Sequence, residues 1–434
     1  MALGVDRGSG EGHFPRVWMK PLLLIPLLLA SFRSPAVALD IWELAPIHYS
    51  DAEATDPIAK LSEDLAAGKV EIEGDTDVEK LRYVLRLLGI PVESQMLVFS
   101  KTSQQNALIR PENPRSLFYN EHSYVGYVPG GDIEIITHDP VLGMVFYLVD
   151  LGQKDRARMI SRDANVCLAC HGTQRTEGVP GVLVRSVHPD ESGHLLLALG
   201  AEHIDSRTPI PHRWGGYYVT GRSTLPHLGN RIYQETDTRE ETRPTPEYRT
   251  LADIIDVSKY PRDTSDIISL MVLEHQCRVH NLLVAASMNY RRTYWFKKSL
   301  DPQSDPDQGK AGELADELAE EVVEALLFKG EAPMGDGGVD GDTAFQDAFA
   351  KRVPKTKSGD SLAEFQLADR LFKNRCSYMI YSPAFTVLPP RVKSAVLKRL
   401  SGILEDETKF PEMKTPERRR IMEILRETVP GYGA

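Results

Sequence analysis

The sequence predicts an α+β protein in which a small mixed sheet with helices precedes an all-helical C-terminal domain. Short β-type runs, most of them bounded by Gly, Pro, Asn or Asp, are concentrated in residues 92–220. Apolar residues at helical spacing dominate residues 39–90 and most of the chain after Ser265. A length of 434 residues also exceeds what one hydrophobic core usually serves, which favours two folded units.

The individual elements follow from the same patterns. Residues 39 to about 90 are expected to be helical, and a long helix is expected to begin near Ser265. Strands are expected at 96–99, 124–128, 133–136, 144–149, 182–184 and 194–198. Later helices are expected at 313–328, 344–352, 362–378, 390–404 and 416–427. Linkers are expected at 235–250 and 301–312, because both segments are rich in charged residues and Pro. The second linker is expected to separate a domain of residues 39–300 from a domain of residues 313–434.

The composition excludes wholesale disorder and a collagen-like repeat, since 41% of residues are hydrophobic and 26% are charged. Acidic residues outnumber basic ones by 62 to 51, which gives a formal net charge of −11. Because phosphate binding needs a basic face, this balance disfavours nucleic acid as a partner.

Residues 1–38 have the pattern of a secretory signal peptide. Arg16 and Lys20 precede the apolar run 21–30, and small residues at 36–38 suit a cleavage site. The alternative is an uncleaved anchor, but the run is about half of the ~20 residues that a membrane span needs, and two prolines interrupt it. We therefore expect an exported, periplasmic protein with no membrane span in the mature chain.

The pentad Cys167-Leu168-Ala169-Cys170-His171 is the most informative motif in the chain. Two thiols at this spacing can add to the two vinyl groups of one haem, and the adjacent imidazole then binds one axial side of the iron. The motif therefore predicts one covalent haem c, with His171 as an iron ligand.

Two other sites could use these cysteines. A redox dithiol would need a βαβ context, whereas residues 161–166 are expected to form a polar loop that enters a short helical turn. A zinc site would need a second ligand pair, for which Cys277 and His280 are available, but there is no second CxxC. Export favours haem, because haem c is attached outside the cytoplasm.

The sixth iron ligand is open at this point. Small electron carriers commonly use a Met after the motif, but none occurs between His171 and Met271. His227 lies in a predicted tight turn, and His275 is centred on the apolar face of the long helix, so these two are the leading candidates. The other candidates are an unoccupied sixth position and the side chains of Met144, Met159, His188, His194, His203 and His212.

Donors for the haem propionates are also predicted. Arg213 and Trp214 begin an aromatic run that could contact the macrocycle, although aromatic strands are more commonly plain core. Arg110 and Arg115 are weaker candidates. The remaining Cys277 and Cys376 would form either a disulfide or two buried free thiols.

The sequence resembles a family of exported bacterial proteins that carry a cytochrome c domain, with a single haem-attachment motif inside a larger mixed domain. The resemblance covers roughly residues 45–300, with a looser likeness at 375–379. It rests on the pentad and on the segments 97–104, 124–131, 178–181, 213–221, 227–230 and 273–276. It implies that Cys167 and Cys170 carry the haem, that His171 binds its iron, and that 39–300 is the haem-binding domain.

The expected function is that of a periplasmic c-type cytochrome that transfers electrons to or from an unidentified redox partner protein. One alternative is a peroxidase-like haem enzyme with an open sixth position. The other is a haem-sensing or interaction protein whose helical half binds a partner.

Overall fold

The computed structural model describes residues 40–238 and 244–433, and within them it confirms the α+β fold class. The predicted signal peptide of residues 1–38 and part of the predicted 235–250 linker lie outside the described residues. The strands are β1 Met96–Val98, β2 Arg115–Tyr119, β3 Ser123–Tyr127, β4 Ile133–Asp139, β5 Gly143–Val149, β6 Ile160–Asp163, β7 Arg185–Val187, β8 Ala201–His203, β9 Tyr217–Tyr218, β10 Arg222–Ser223 and β11 Val339–Asp340. The helices are α1 Pro57–Ala66, α2 Asp77–Leu87, α3 Leu168–His171, α4 Ile267–Leu300, α5 Lys310–Leu326, α6 Thr343–Ala350, α7 Pro383–Thr386, α8 Pro390–Glu405 and α9 Thr415–Thr428.

Seven of these strands form one sheet in the order β6-β5-β4-β3-β2-β1-β9. Although a mixed sheet was expected, every pair in it is antiparallel. Short hairpin connections between neighbours in sequence, such as the β4–β5 turn, allow this arrangement without crossover helices. Strand β7 pairs only with β8, and β10 pairs only with β11, which gives two small ribbons beside the main sheet.

Helices cover both faces of the sheet. The hydroxyl of Tyr147 donates a 2.6 Å hydrogen bond to Asp56, the N-cap of α1, on one face. On the other face, the hydroxyl of Tyr119 donates a 2.9 Å bond to the Ser269 carbonyl in α4. Most residues in the first six turns of α4 are buried, including charged and polar ones, as expected for a central helix with neighbours on all sides.

One continuous hydrophobic core extends from the N-terminal helices through the sheet to the last helix. Residues from Asp40 onward form a single compact unit, in which α4 packs on α5 and α5 packs on α8. The predicted linker 301–312 contains a short 3-10 turn, Pro306–Gln308, and the Tyr290 hydroxyl donates a 2.6 Å bond to Asp307 there. The division into domains at this segment stays a prediction.

Some predicted elements are wrong in detail. Residues 182–184 and 194–198 are not strands, and β7 begins at Arg185 instead. The expected helix at 362–378 is absent, because Phe365 and Phe372 pair across a turn in which Leu367 has a φ of 55°. Their rings stack at 5.1 Å, so the apolar residues form an aromatic cluster rather than a helix face. No helix in the described part of the chain is long and apolar enough to cross a bilayer.

Candidate functional site

The cysteines of the motif lie at a single helical turn, since Cys170 belongs to α3 and Cys167 is its N-cap residue. A short helical turn at the motif agrees with the prediction from the sequence. Asp163 starts this turn by accepting 2.8 Å hydrogen bonds from the backbone N–H groups of Asn165 and Val166. Cys167 is half-buried and Cys170 is exposed. Burial, together with the Asp163 carboxylate, raises the pKa of Cys167 to about 12, so this group is a protonated thiol at neutral pH.

One ring nitrogen of His171 is already engaged by the protein. Its Nδ1–H donates a 2.9 Å hydrogen bond to the Gly181 carbonyl, which fixes the tautomer. Burial lowers the pKa of His171, so the ring is neutral, and Nε2 has no hydrogen bond to another described residue. Metal-binding histidines usually have this arrangement, with one nitrogen bonded to a carbonyl and the other available to the metal.

The loop between His171 and Gly181 is tightly fixed. The Gly181 N–H returns a 2.8 Å hydrogen bond to the His171 carbonyl, and Thr176 Oγ1 contacts the carbonyls of His171 and Val179 at 3.1 and 2.8 Å. A Cβ on Gly181 would lie 2.5 Å from Asn281 Oδ1, so the close approach to α4 needs a glycine. The position of the carbonyl that orients His171 is therefore set by both the loop and the central helix.

His171 lines a cavity between the sheet and α4. Register places Met96, Leu117, Gly126 and Glu134 directly opposite one another in strands β1 to β4, so their side chains share one face. All four line the cavity, together with Leu273 and Cys277 of α4. The cavity has a volume of about 110 Å³, below the ~300–1,000 Å³ range of ligand pockets, so a larger ligand would require its walls to move apart.

Two arginines bring positive charge to this largely apolar cavity. Arg115 forms an ion pair with Glu134, and a Cβ on Gly126 would lie 2.2 Å from its guanidinium, so the glycine leaves room for the arginine. Arg185 also lines the cavity but forms no ion pair with any described residue. The Nε atoms of both arginines are buried without a hydrogen-bond partner among the described residues, which is costly unless a ligand supplies an acceptor.

Glu134 is ionised in this setting. Burial alone would raise its pKa, but Arg115 and the hydrogen bonds from Ser103 and Gln105 hold the pKa below its usual value. The carboxylate therefore neutralises Arg115, whereas no described residue forms an ion pair with Arg185.

Arg213 and Trp214 lie elsewhere in the fold. Arg213 donates to Glu274 at 2.8 Å and to the carbonyls of Thr208 and Ser206, and Trp214 Nε1 donates to the same Glu274 at 2.6 Å. Both residues are buried, neither lines the cavity, and these donors are already bonded. Their proposed contact with haem propionates stays a prediction that the observed contacts do not favour.

The two leading candidates for the sixth ligand do not line the cavity either. His227 packs edge-on against Trp214 at 4.9 Å, and its Nδ1 accepts a 3.1 Å bond from the Gly229 N–H. His275 is stacked on Phe328 at 3.8 Å, and its Nε2 is 2.7 Å from the Ser377 hydroxyl. Neither lines the cavity that His171 lines.

The remaining candidates also lie outside the cavity. The residues that line it do not include the other candidate ligands Met144, Met159, His188, His194, His203 and His212. Arg110 is exposed and does not line the cavity either. Cys277 and Cys376 are buried free thiols, so the alternative disulfide is not formed. The described ranges contain no group of three or more His, Cys, Asp or Glu residues that could hold a metal ion.

Arg185 and Gly181 are residues of the candidate site that the sequence did not predict. The signal for Arg185 is weak, since it is a single basic residue after the apolar run 182–184. Gly181 belongs to the segment 178–181, one of those that support the resemblance. The role of its backbone carbonyl cannot be predicted from residue types, because every residue has the same carbonyl group.

The types of residue present fit a covalent haem. They provide two thiols at one helical turn, an imidazole whose free nitrogen belongs to a cavity-lining ring, and walls of mostly apolar residues. They also provide two buried arginine Nε–H groups that have no hydrogen-bond partner among the described residues. No model of a known protein family, no curated protein and no solved structure matches this chain. The resemblance to exported proteins with a cytochrome c domain therefore remains a prediction.

Proposed function

We propose that this protein is an exported c-type cytochrome that holds one covalent haem and transfers single electrons to and from a partner protein. The observation that carries the proposal is the setting of His171, whose Nδ1 is bonded to the Gly181 carbonyl while its ring lines a cavity of mostly apolar residues. When bound, the haem would supply an iron that cycles between the ferric and ferrous states.

Each residue of the site has a distinct part in this proposal. Cys167 and Cys170 would form the two thioether bonds, and His171 would hold the iron through Nε2. Arg115 and Arg185 would donate hydrogen bonds to the propionates, because their buried Nε–H groups have no acceptor among the described residues. The apolar side chains around them, among them Met96, exclude water and help to set the reduction potential.

Mass spectrometry of protein exported by a bacterial host with haem-attachment machinery tests the proposal. We expect the mature chain to carry the additional mass of one haem and to keep its colour after acid-acetone extraction. The double variant Cys167→Ala/Cys170→Ala should lose the covalent haem, whereas Cys376→Ala, which removes a buried thiol outside the cavity, should keep it. Wild-type protein without added mass, or a double variant that retains covalent haem, would contradict the proposal.

A further inference from the structure

The C-terminal end of α4 carries an exposed apolar stripe, formed by Trp295, Phe296 and Leu300. These side chains are 44%, 53% and 67% exposed, respectively. At 100° per residue they span an arc of about 140°, so they lie side by side on one face of the helix. Single exposed apolar residues are ordinary, but three that adjoin on one helix face indicate an interaction surface.

Lysines border the apolar stripe on both sides. In the same helical projection, Lys298 lies about 60° before Trp295, and Lys297 lies about 60° beyond Leu300. Lys298 is exposed and Lys297 is partly exposed. The stripe is therefore an apolar surface with an ammonium group at each edge.

This end of the helix is basic, although the whole chain has a net charge of −11. Residues 291–300 contain four basic residues and no acidic one, and none of the four forms an ion pair with a described residue. Two acidic residues follow in the chain. Asp301 is the C-cap of the helix, and Asp307 accepts a 2.6 Å hydrogen bond from the Tyr290 hydroxyl.

An open cleft adjoins the apolar stripe. Tyr294, Trp295 and Lys298 of α4 line it. Val387 and Leu388, between α7 and α8, line it as well. Its volume of about 630 Å³ lies within the ~300–1,000 Å³ range of ligand pockets. Apolar walls beside an exposed lysine suit an acyl chain and the phosphate group to which it is attached.

The residue types favour a lipid surface over a protein as the occupant. Lysine is depleted in protein–protein interfaces. By contrast, Trp at the boundary between water and hydrocarbon, with basic side chains that reach the headgroups, is typical of helices that bind membrane surfaces. Basic residues next to such an apolar face are attracted to anionic lipids in particular.

We propose that the C-terminal end of α4 docks this protein on the surface of a bilayer that contains anionic phospholipids. Trp295, Phe296 and Leu300 enter the boundary between headgroups and acyl chains, and the flanking lysines contact lipid phosphates. Trp295 is ~27 Å along α4 from Cys277, which lines the cavity of His171, at 1.5 Å per residue. The docking surface is therefore separate from the candidate haem site and does not depend on haem.

Intrinsic fluorescence of the purified mature protein provides a direct test. Among the described tryptophans, Trp42 and Trp214 are buried and Trp295 is exposed, so a change in polarity is reported mainly by Trp295. Vesicles of phosphatidylglycerol and phosphatidylcholine should shift the emission to shorter wavelength and carry the protein with them on sedimentation. Vesicles of phosphatidylcholine alone should bind much less, and high salt should weaken binding to the anionic vesicles.

Variants separate the apolar and the charged contributions in the sedimentation assay. Trp295→Ala/Phe296→Ala should weaken binding to the anionic vesicles by about tenfold or more, because two large side chains no longer leave water. The control for this pair is Leu197→Ala, at an apolar residue that is 74% exposed outside the stripe. Lys297→Gln/Lys298→Gln should weaken binding by about 30-fold, since each basic residue near an anionic surface contributes about fivefold.

The control for the charged pair is Lys60→Gln/Lys69→Gln, which removes two exposed lysines elsewhere and should bind as wild type does. Wild-type protein that fails to bind the anionic vesicles, or both stripe variants binding as tightly as wild type, would overturn the proposal. A dimer in analytical ultracentrifugation that is lost in Trp295→Ala/Phe296→Ala would also overturn it, because a second copy would then cover the stripe. None of these outcomes bears on covalent haem attachment.

Discussion

At the residue scale, buried Arg213 and partly buried Arg185 illustrate how the same side chain serves different purposes. Arg213 has a carboxylate and two carbonyls as acceptors, so its charge is satisfied inside the protein. Arg185 has no carboxylate partner among the described residues and faces the cavity. The first pattern is typical of a structural network, and the second indicates a site for an anionic group.

Replacing Arg185 by Gln should lower the reduction potential of the holoprotein. Loss of one positive charge at ~10 Å changes the electrostatic energy by on the order of 1 kcal/mol, which corresponds to tens of millivolts for a one-electron couple. Spectroelectrochemical titration measures the change. Lys69→Gln, at an exposed lysine that pairs with Asp64, serves as control and should leave the potential unaltered. An unchanged reduction potential in Arg185→Gln would contradict the proposed place of Arg185 beside a haem.

Removal of the Glu274 side chain should destabilise the fold strongly. This buried carboxylate accepts from both Arg213 and Trp214, so Glu274→Ala leaves a buried guanidinium without its counter-charge. We expect a loss of about 3–5 kcal/mol in the free energy of unfolding. Urea denaturation measures this loss, and Glu313→Ala, at an exposed glutamate, is the control. A loss below about 1 kcal/mol in Glu274→Ala would mean that the contacts of Glu274 with Arg213 and Trp214 do not stabilise the fold.

At the element scale, side-chain caps explain why several helices begin where they do. Thr76 and Glu79 form a reciprocal capping box at the start of α2, a pattern that is visible in the sequence. Asp56 caps α1 by accepting from the N–H groups of Ile58 and Ala59, and it also accepts from the Tyr147 hydroxyl. This second contact joins α1 to the sheet and cannot be inferred from local sequence.

Asp56→Ala should therefore cost more than Thr76→Ala. Loss of an exposed N-cap costs about 1 kcal/mol, whereas at Asp56 the Tyr147 hydroxyl also loses its buried partner, which adds about 1–3 kcal/mol. Chemical denaturation of both variants provides the comparison. Equal losses would show that the contact between Asp56 and Tyr147 contributes nothing.

At the scale of the whole molecule, the core crosses the boundary at 301–312 that the sequence predicts. The aromatic cluster of the C-terminal half packs against α4, since Phe328 stacks on His275 and contacts Phe372 at 5.6 Å. A shared core couples the parts of a chain, so they should unfold together.

Calorimetry should show one unfolding transition for the mature protein. Phe372→Ala removes a buried ring from the C-terminal cluster and should shift the whole transition to lower temperature, with a loss of about 3–5 kcal/mol. Phe296→Ala, at a ring that is 53% exposed, should change little. A separate transition that keeps its wild-type temperature in Phe372→Ala would instead support two independent domains.

Acid should destabilise the protein through its buried histidines. Burial lowers the pKa of His275 from 6.5 to about 3, so between these values the unfolded chain binds a proton that the folded chain does not. The free energy of unfolding should therefore fall as the pH decreases from 6.5 towards 3. His275→Gln should reduce this slope by up to about 1.4 kcal/mol per pH unit, measured by urea denaturation across this window. The control is His194→Gln, which changes an exposed histidine and should leave the pH slope of the unfolding free energy unchanged. If His275→Gln has the same slope as the wild type, His275 does not cause the loss of stability in acid.

The sequence by itself determined the fold class, most helices and central strands, and the pentad that predicts haem attachment, because these depend on periodicity and on spacing within a few residues. The tertiary structure decided which side chains face His171. It separated Arg213, Trp214, His227 and His275 from the cavity and placed Arg185 there. It also replaced the predicted helix at 362–378 with an aromatic cluster. The physical reason is that such contacts join residues far apart in the chain, and their partners are selected by strand register and by competition for space in one shared core.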